Sequence, residues 1–176
     1  MKVETREIHT QASGRQSSLA LALLLLSLTG CSADNSDITS RQKSEFEGSQ
    51  FCKKYACRAD GERALDRGGI SRAYRIRDDD SVLIQLEAWG SDLFSASIGL
   101  YGQEKLRSDF QELAMEFFAS AIRAGPACRS SLLSPALHSD LTRRLSAIMD
   151  ARPHLCGPWE VRAGQVTSDY IIAAER

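Results

Sequence analysis

ISRAYRIRDDDSVLIQLEAWGSDLFSASIGLY, residues 70–101, alternates apolar and polar side chains three times in succession. Ile70, Tyr74 and Ile76 alternate with Ser71, Ala73, Arg75 and Arg77, and Arg72 falls on the apolar phase. Val82, Ile84, Leu86 and Ala88 alternate with Leu83, Gln85, Glu87 and Trp89, and then Phe94, Ala96, Ile98 and Leu100 with Ser95, Ser97, Gly99 and Tyr101. A period of two is that of a β-strand with one face buried. Asp78-Asp79-Asp80-Ser81 and Gly90-Ser91-Asp92 are short connections, so the three strands form an antiparallel meander. The face turned to the core is expected to carry Val82, Ile84, Leu86, Phe94, Ile98 and Leu100.

Beyond Tyr101 the period becomes that of a helix. Leu106, Phe110, Leu113, Phe117 and Ala121, with Ala114, Phe118 and Ile122 beside them, give one wide apolar face over residues 105–124. Gly125-Pro126 is expected to end this helix, with Gly in the left-handed cap. Ser134-Pro135 opens a second helix, Ser as N-cap and Pro at the first helical position, burying Leu137, Leu141, Leu145, Ile148 and Met149 before Pro153 stops it. Residues 159–163 and 166–174 read as a hairpin over Gly164-Gln165, with Tyr170, Ile172 and Ala174 in phase. Ahead of the meander, residues 45–58 carry Phe46, Phe51, Cys52 and Tyr55 at weak helical spacing, and Asp60-Gly61 and Gly68-Gly69 punctuate residues 59–69. Helix, three strands, two helices and two strands, without strand–helix alternation, indicate an α+β fold: an antiparallel sheet of meander plus C-terminal hairpin with helices packed on one face.

The N-terminus sets the address. Lys2, Arg6 and Arg15 precede the apolar run of residues 19–28, which is too short for a spanning helix of about 20 residues and fits the h-region of a secretory signal peptide. The run leads into Leu28-Thr29-Gly30-Cys31. Here the chain resembles the bacterial prolipoproteins, whose lipobox is Leu, a small residue, Gly or Ala, then Cys. Thr29 stands where Ser or Ala is more usual, and the long n-region carries Glu4 and Glu7. The resemblance implies that signal peptidase II cuts after Gly30, recognising Leu28, Thr29 and Gly30, and that Cys31 carries the lipid. Each buried methylene is worth about 0.8 kcal/mol, so two or three acyl chains anchor the protein to the membrane through covalent lipid. Ser32 after the cysteine resembles lipoproteins sent to the outer membrane, facing the periplasm. The expected organisation is thus a signal peptide at 1–30, a lipidated Cys and tether at 31–44, and one α+β domain at 45–176.

Cutting after Gly30 leaves 146 residues with nineteen Lys or Arg against twenty-one Asp or Glu. That balance excludes nucleic acid as the expected partner. Beside Cys31 the chain has Cys52, Cys57, Cys128 and Cys156, an even set suited to an oxidising compartment. Four cysteines allow three connectivities. We favour Cys52–Cys57 with Cys128–Cys156; the first requires the opening helix to end between its cysteines, because an unbroken helix holds residues five apart beyond about 7 Å. A zinc site is the alternative use, but no C-x-x-C pair occurs.

No catalytic set assembles in the sequence, and no metal or cofactor is expected. His138-Ser139-Asp140 contains the residue types of a hydrolase triad, but neighbours on a helix diverge by about 100° and cannot face one another, so they read as helix surface. His154 reads as loop packing. Asp78-Asp79-Asp80 lacks the Gly and distal Glu of a calcium loop and reads as a solvated turn. Arg72, Arg75 and Arg77 read as surface charges, and Lys53, Lys54 and Arg58 as a solvated helix face. The most suggestive surface is the outward sheet face, where Leu83, Gln85, Glu87, Trp89 and Tyr101 combine aromatic, small and polar groups as a candidate binding face. The alternative is that the first helix or the final hairpin covers it. The expected function is an envelope lipoprotein that presents a disulfide-stabilised domain to an envelope protein or cell-wall component. A small-ligand carrier is a second expectation, and a third is an envelope hydrolase pairing Glu87 with one of Asp78 to Asp80.

Overall fold

The computed structural model describes residues 43–77, 79–90 and 92–176. The leader, Leu28, Thr29, Gly30, Cys31 and the tether up to residue 42 lie outside the described residues, as do Asp78 and Ser91. A helical turn at residues 43–47 leads to α1 (Gln50–Tyr55), followed by β1 (Arg58–Ala64), β2 (Gly69–Ile76), β3 (Asp79–Trp89) and β4 (Asp92–Leu100). Then come α2 (Phe110–Ala121), α3 (Pro126–Leu132) and α4 (Pro135–Leu141), and last β5 (Arg144–Leu145), β6 (His154–Cys156), β7 (Trp159–Val166) and β8 (Asp169–Glu175). The fold is α+β. Among the described residues the sheet has eight strands in the order β1-β2-β3-β4-β8-β7-β5, with β6 also on β7. All pairs are antiparallel except β5 with β7. No helix among the described residues is long and apolar enough to cross a membrane.

The meander is as expected. Three strands extend it beyond the sequence reading. β1 is exposed along its whole length, so as an edge strand it has no buried face to impose an alternation. The Asp60-Gly61 pair that suggests a turn is a bulge within it. β5 and β6 are two and three residues long, below the length at which a period can be read.

Val82, Ile84, Ile98 and Leu100 are fully buried against the helices, and Leu86 is partly buried there. Phe94 is the correction: it is 42 % exposed. Glu87 pairs with Ser95 but Ala88 pairs with Leu93, so β4 carries one extra residue at Phe94. A bulge shifts the side-chain phase by one, putting Leu93 on the core side and Phe94 on the other.

The helices are shorter and more numerous than their apolar spacing indicates. In α2, Phe110, Leu113, Ala114, Phe117 and Phe118 form the buried stripe, each large side chain contributing about 2–3 kcal/mol relative to exposure. The helix does not begin at Lys105. Arg107 donates to both carboxylate oxygens of Asp109, at 2.9 and 2.7 Å, and to Asp79, clamping the preceding segment to the start of β3. At the other end Arg123 takes the left-handed conformation (φ 53°), while Gly125 is extended and N-caps α3 with Pro126 at its first position. Gly125-Pro126 therefore starts a helix rather than ending one. In α4 the Ser134 hydroxyl accepts from the Leu137 N–H as expected. It ends at Leu141, not near Met149, because the chain turns there to lay β5 beside β7, and Met149 is left exposed.

The C-terminal hairpin is present, but its reversal lies at Thr167-Ser168. Thr167 adopts φ 57°, and Gly164 lies inside β7, where Leu145 packs so closely that a Cβ would force the leucine side chain to shift.

Both disulfides form as favoured: Cys52–Cys57 and Cys128–Cys156, each with Cα atoms 4.7 Å apart. α1 ends between the first pair, since Ala56 takes a left-handed conformation (φ 50°) that turns Cys57 back onto Cys52.

Candidate functional site

Leu83, Gln85, Glu87, Trp89 and Tyr101 share the sheet face opposite the helices, and neither of the two elements proposed to cover it does so. α1 packs on the helix side, with Phe51 edge-on to Phe117 at 5.7 Å, and the hairpin extends the sheet by pairing β8 with β4. The face does not gather its aromatics into one groove, however. Trp89 ends β3, whereas Tyr101 lies beside Ser81 at its other end, roughly 25 Å away along the strand. Each ring closes over a glycine: Trp89 over Gly69, which it pairs across the strands, and Tyr101 over Gly99. Trp89 also donates to the Asp66 carbonyl at 3.1 Å and meets Phe94 edge-on at 4.9 Å. Burial pushes the Tyr101 hydroxyl pKa up. Between them, Gln85 Nε2 donates to Ser71 Oγ at 3.0 Å and to Glu87 at 2.8 Å.

The carboxylates considered for acid–base work stand apart. Glu87 is seven residues along β3 from Asp80, roughly 20 Å or more. Asp79 is held by Arg107 and by the Ser81 N–H, and Asp80 by Arg58 at 2.8 Å. Among the described residues, no three His, Cys, Asp or Glu side chains converge as metal ligands.

The His138-Ser139-Asp140 stretch needs one correction. His138 and Ser139 are exposed, but Asp140 is buried, with His154 Nε2 2.8 Å from its Oδ2 and Arg143 on its Oδ1. This cluster joins α4 to β6 beside the Cys128–Cys156 bridge. His138 has a separate partner, Gln111 Oε1 at 2.7 Å, so the two histidines serve different contacts.

The group of polar side chains missed by the sequence reading lies on the helix side. A cleft of about 380 Å³ opens between the helical turn at 43–47, the C-terminal end of α2 and the core face of β2, β3 and β4. Phe46, Leu86, Ala88, Leu93 and Ala121 supply its apolar lining, and Lys43, Glu45, Arg72 and Arg123 its charges. Arg72 is not a surface charge: it is 8 % exposed and donates through Nε to Glu62 Oε2 at 2.8 Å. β1 makes this possible, because Glu62 sits directly across from Arg72. Two residues on, Tyr74 lines the same cleft at 1 % exposure, and its hydroxyl has no hydrogen-bond partner among the described residues. The signal for the site is the cation on the apolar phase of β2, beside the one phenol in that phase.

Compared with known protein families, curated proteins and solved structures, the chain matches none.

Proposed function

We propose that this chain is a bacterial envelope lipoprotein, anchored through acyl chains on Cys31, that presents a disulfide-braced α+β binding domain. The observation that carries the reading is the use of the five cysteines. Four are consumed in two pairs within the domain, and the fifth is Cys31, at the lipidation position of Leu28-Thr29-Gly30-Cys31. Two disulfides support an oxidising compartment, which agrees with export through a signal peptide. Ser32 favours the outer membrane facing the periplasm, and the near balance of charge leaves anchoring to lipid rather than to electrostatic attraction. The partner on this reading is an envelope protein or cell-wall component. The cleft beside Arg72 and Tyr74 also favours a small-ligand carrier as a second reading.

Intact mass of the membrane-extracted protein, before and after reduction and alkylation, tests the anchor. The expected mass begins at Cys31, carries added acyl chains, and gains four alkyl groups only after reduction. An uncleaved or unlipidated chain, or free thiols at the four domain cysteines, would overturn the reading.

A further inference from the structure

Buried phenol hydroxyls in folded proteins find partners, because leaving one desolvated and unbonded costs as much as a hydrogen bond or more. Among the described residues Tyr74, which lines the cleft, breaks that rule. Burial pushes its pKa up to about 12, so at neutral pH the group is an O–H with a proton to donate. Arg72, on the same face of β2, adds a second set of donors: Nε is engaged by Glu62, while its two Nη groups have no hydrogen bond to any described residue. The apolar part of the lining is Phe46, Leu86, Ala88, Leu93 and Ala121. Among the described residues the charged lining is Lys43, Arg72, Arg123 and Glu45, with Glu62 on Arg72 and Glu47 near Tyr74, so a preference for an anion rests on the donors of Arg72 and Tyr74 and not on net charge. Its volume of about 380 Å³ is at the small end of the range for ligand pockets, roughly 300–1,000 Å³.

We propose that this cleft binds a small amphipathic carboxylate, whose two oxygens accept from the Tyr74 hydroxyl and the Arg72 Nη groups while its hydrocarbon chain lies along Phe46, Leu86, Leu93 and Ala121. A carboxylate offers two acceptor oxygens to two adjacent donor sets, and charge-assisted bonds of this kind are stronger than neutral ones. A single negative charge suits a site where Glu62 already half-neutralises the guanidinium; a dianion would be desolvated with too little compensation. The proposal rests on the reading of the domain as a binding module, not on the anchor. A chain that proves unlipidated yet binds keeps it, and a lipidated chain that fails to bind overturns it alone.

The test is titration of the full chain with decanoate labelled with carbon-13 at the carboxyl, kept below its own aggregation, with decan-1-ol as the uncharged control. Saturable decanoate binding with a shifted carboxyl resonance is expected, and decan-1-ol at least tenfold weaker. Tyr74→Phe is expected to weaken decanoate about tenfold while the protein stays folded, since the hydroxyl it removes has no partner to lose among the described residues. Leu93→Trp, which fills the apolar end, is expected to abolish binding of both. Equal affinity for acid and alcohol, unchanged binding by Tyr74→Phe, or no saturable binding would each overturn the proposal.

Discussion

At the scale of single residues, Tyr74 gathers most of the chemistry of the core face of β2. Phe46 packs on its ring edge-on at 5.1 Å, so the ring belongs to the core and only the oxygen is out of place there. Tyr74→Phe is therefore expected to leave stability at pH 7 unchanged or to raise it by about 1 kcal/mol, measured by urea unfolding. The sign at high pH comes from the raised pKa. The unfolded phenol ionises near pH 10 and the folded one near 12, so the contribution is intact below pH 10 and is lost as pH rises through 12. The wild type should lose on the order of 2 kcal/mol across that window, and Tyr74→Phe should lose less. Part of this was legible in the sequence, where Tyr74 and Arg72 both stand on the apolar phase. That Arg72 is tied by Nε to Glu62 was not, because the bond needs a strand with no hydrophobic signature of its own.

At the scale of elements, the bulge at Phe94 shows how one residue redistributes a sheet. It turns Phe94 out beside Trp89, and the two rings then pack with Gly69 and the Asp66 carbonyl into a small cluster at the end of the β3–β4 hairpin. Trp89→Ala is expected to destabilise the protein by about 2 kcal/mol in chemical unfolding, because it removes the ring that covers Gly69 and leaves Phe94 without its edge-on partner. A Trp89→Ala protein as stable as wild type would instead show a ring held for contact with something else. The helices carry a related lesson. A helical apolar spacing persists through residues 105–109 and 142–149, yet the side chain of Arg107 ties the first segment to Asp109 and Asp79, and β7 takes the backbone of Arg144 and Leu145 as a strand. Tertiary partners override a local period, whether they bond its side chains or its backbone.

At the scale of the whole molecule, the two disulfides act on different distances. Cys52–Cys57 closes a local turn, and Cys128–Cys156 spans 28 residues to tie α3 to β6. By chain entropy the longer loop is worth about 3.5 kcal/mol and the shorter about 2. Replacing Cys128 and Cys156 together by alanine should lower the thermal midpoint by roughly 10 °C, followed by circular dichroism, and more than the same change at Cys52 and Cys57.

Reading residues in one dimension was enough for what repeats locally: the α+β class, the meander, the C-terminal hairpin, the stripe of α2 and the Ser134 cap. Those features are set by side-chain period and by capping chemistry within a few residues. Only the tertiary structure decided the eight-strand order, the bulge that exposes Phe94, the burial of Asp140 against His154, and the cleft of Arg72 and Tyr74. The bulge depends on how two neighbouring strands settle their register, and the others on which distant segment arrives as a partner. The short and fully exposed strands that do so present no periodic face, so they leave no trace in the pattern of apolar residues.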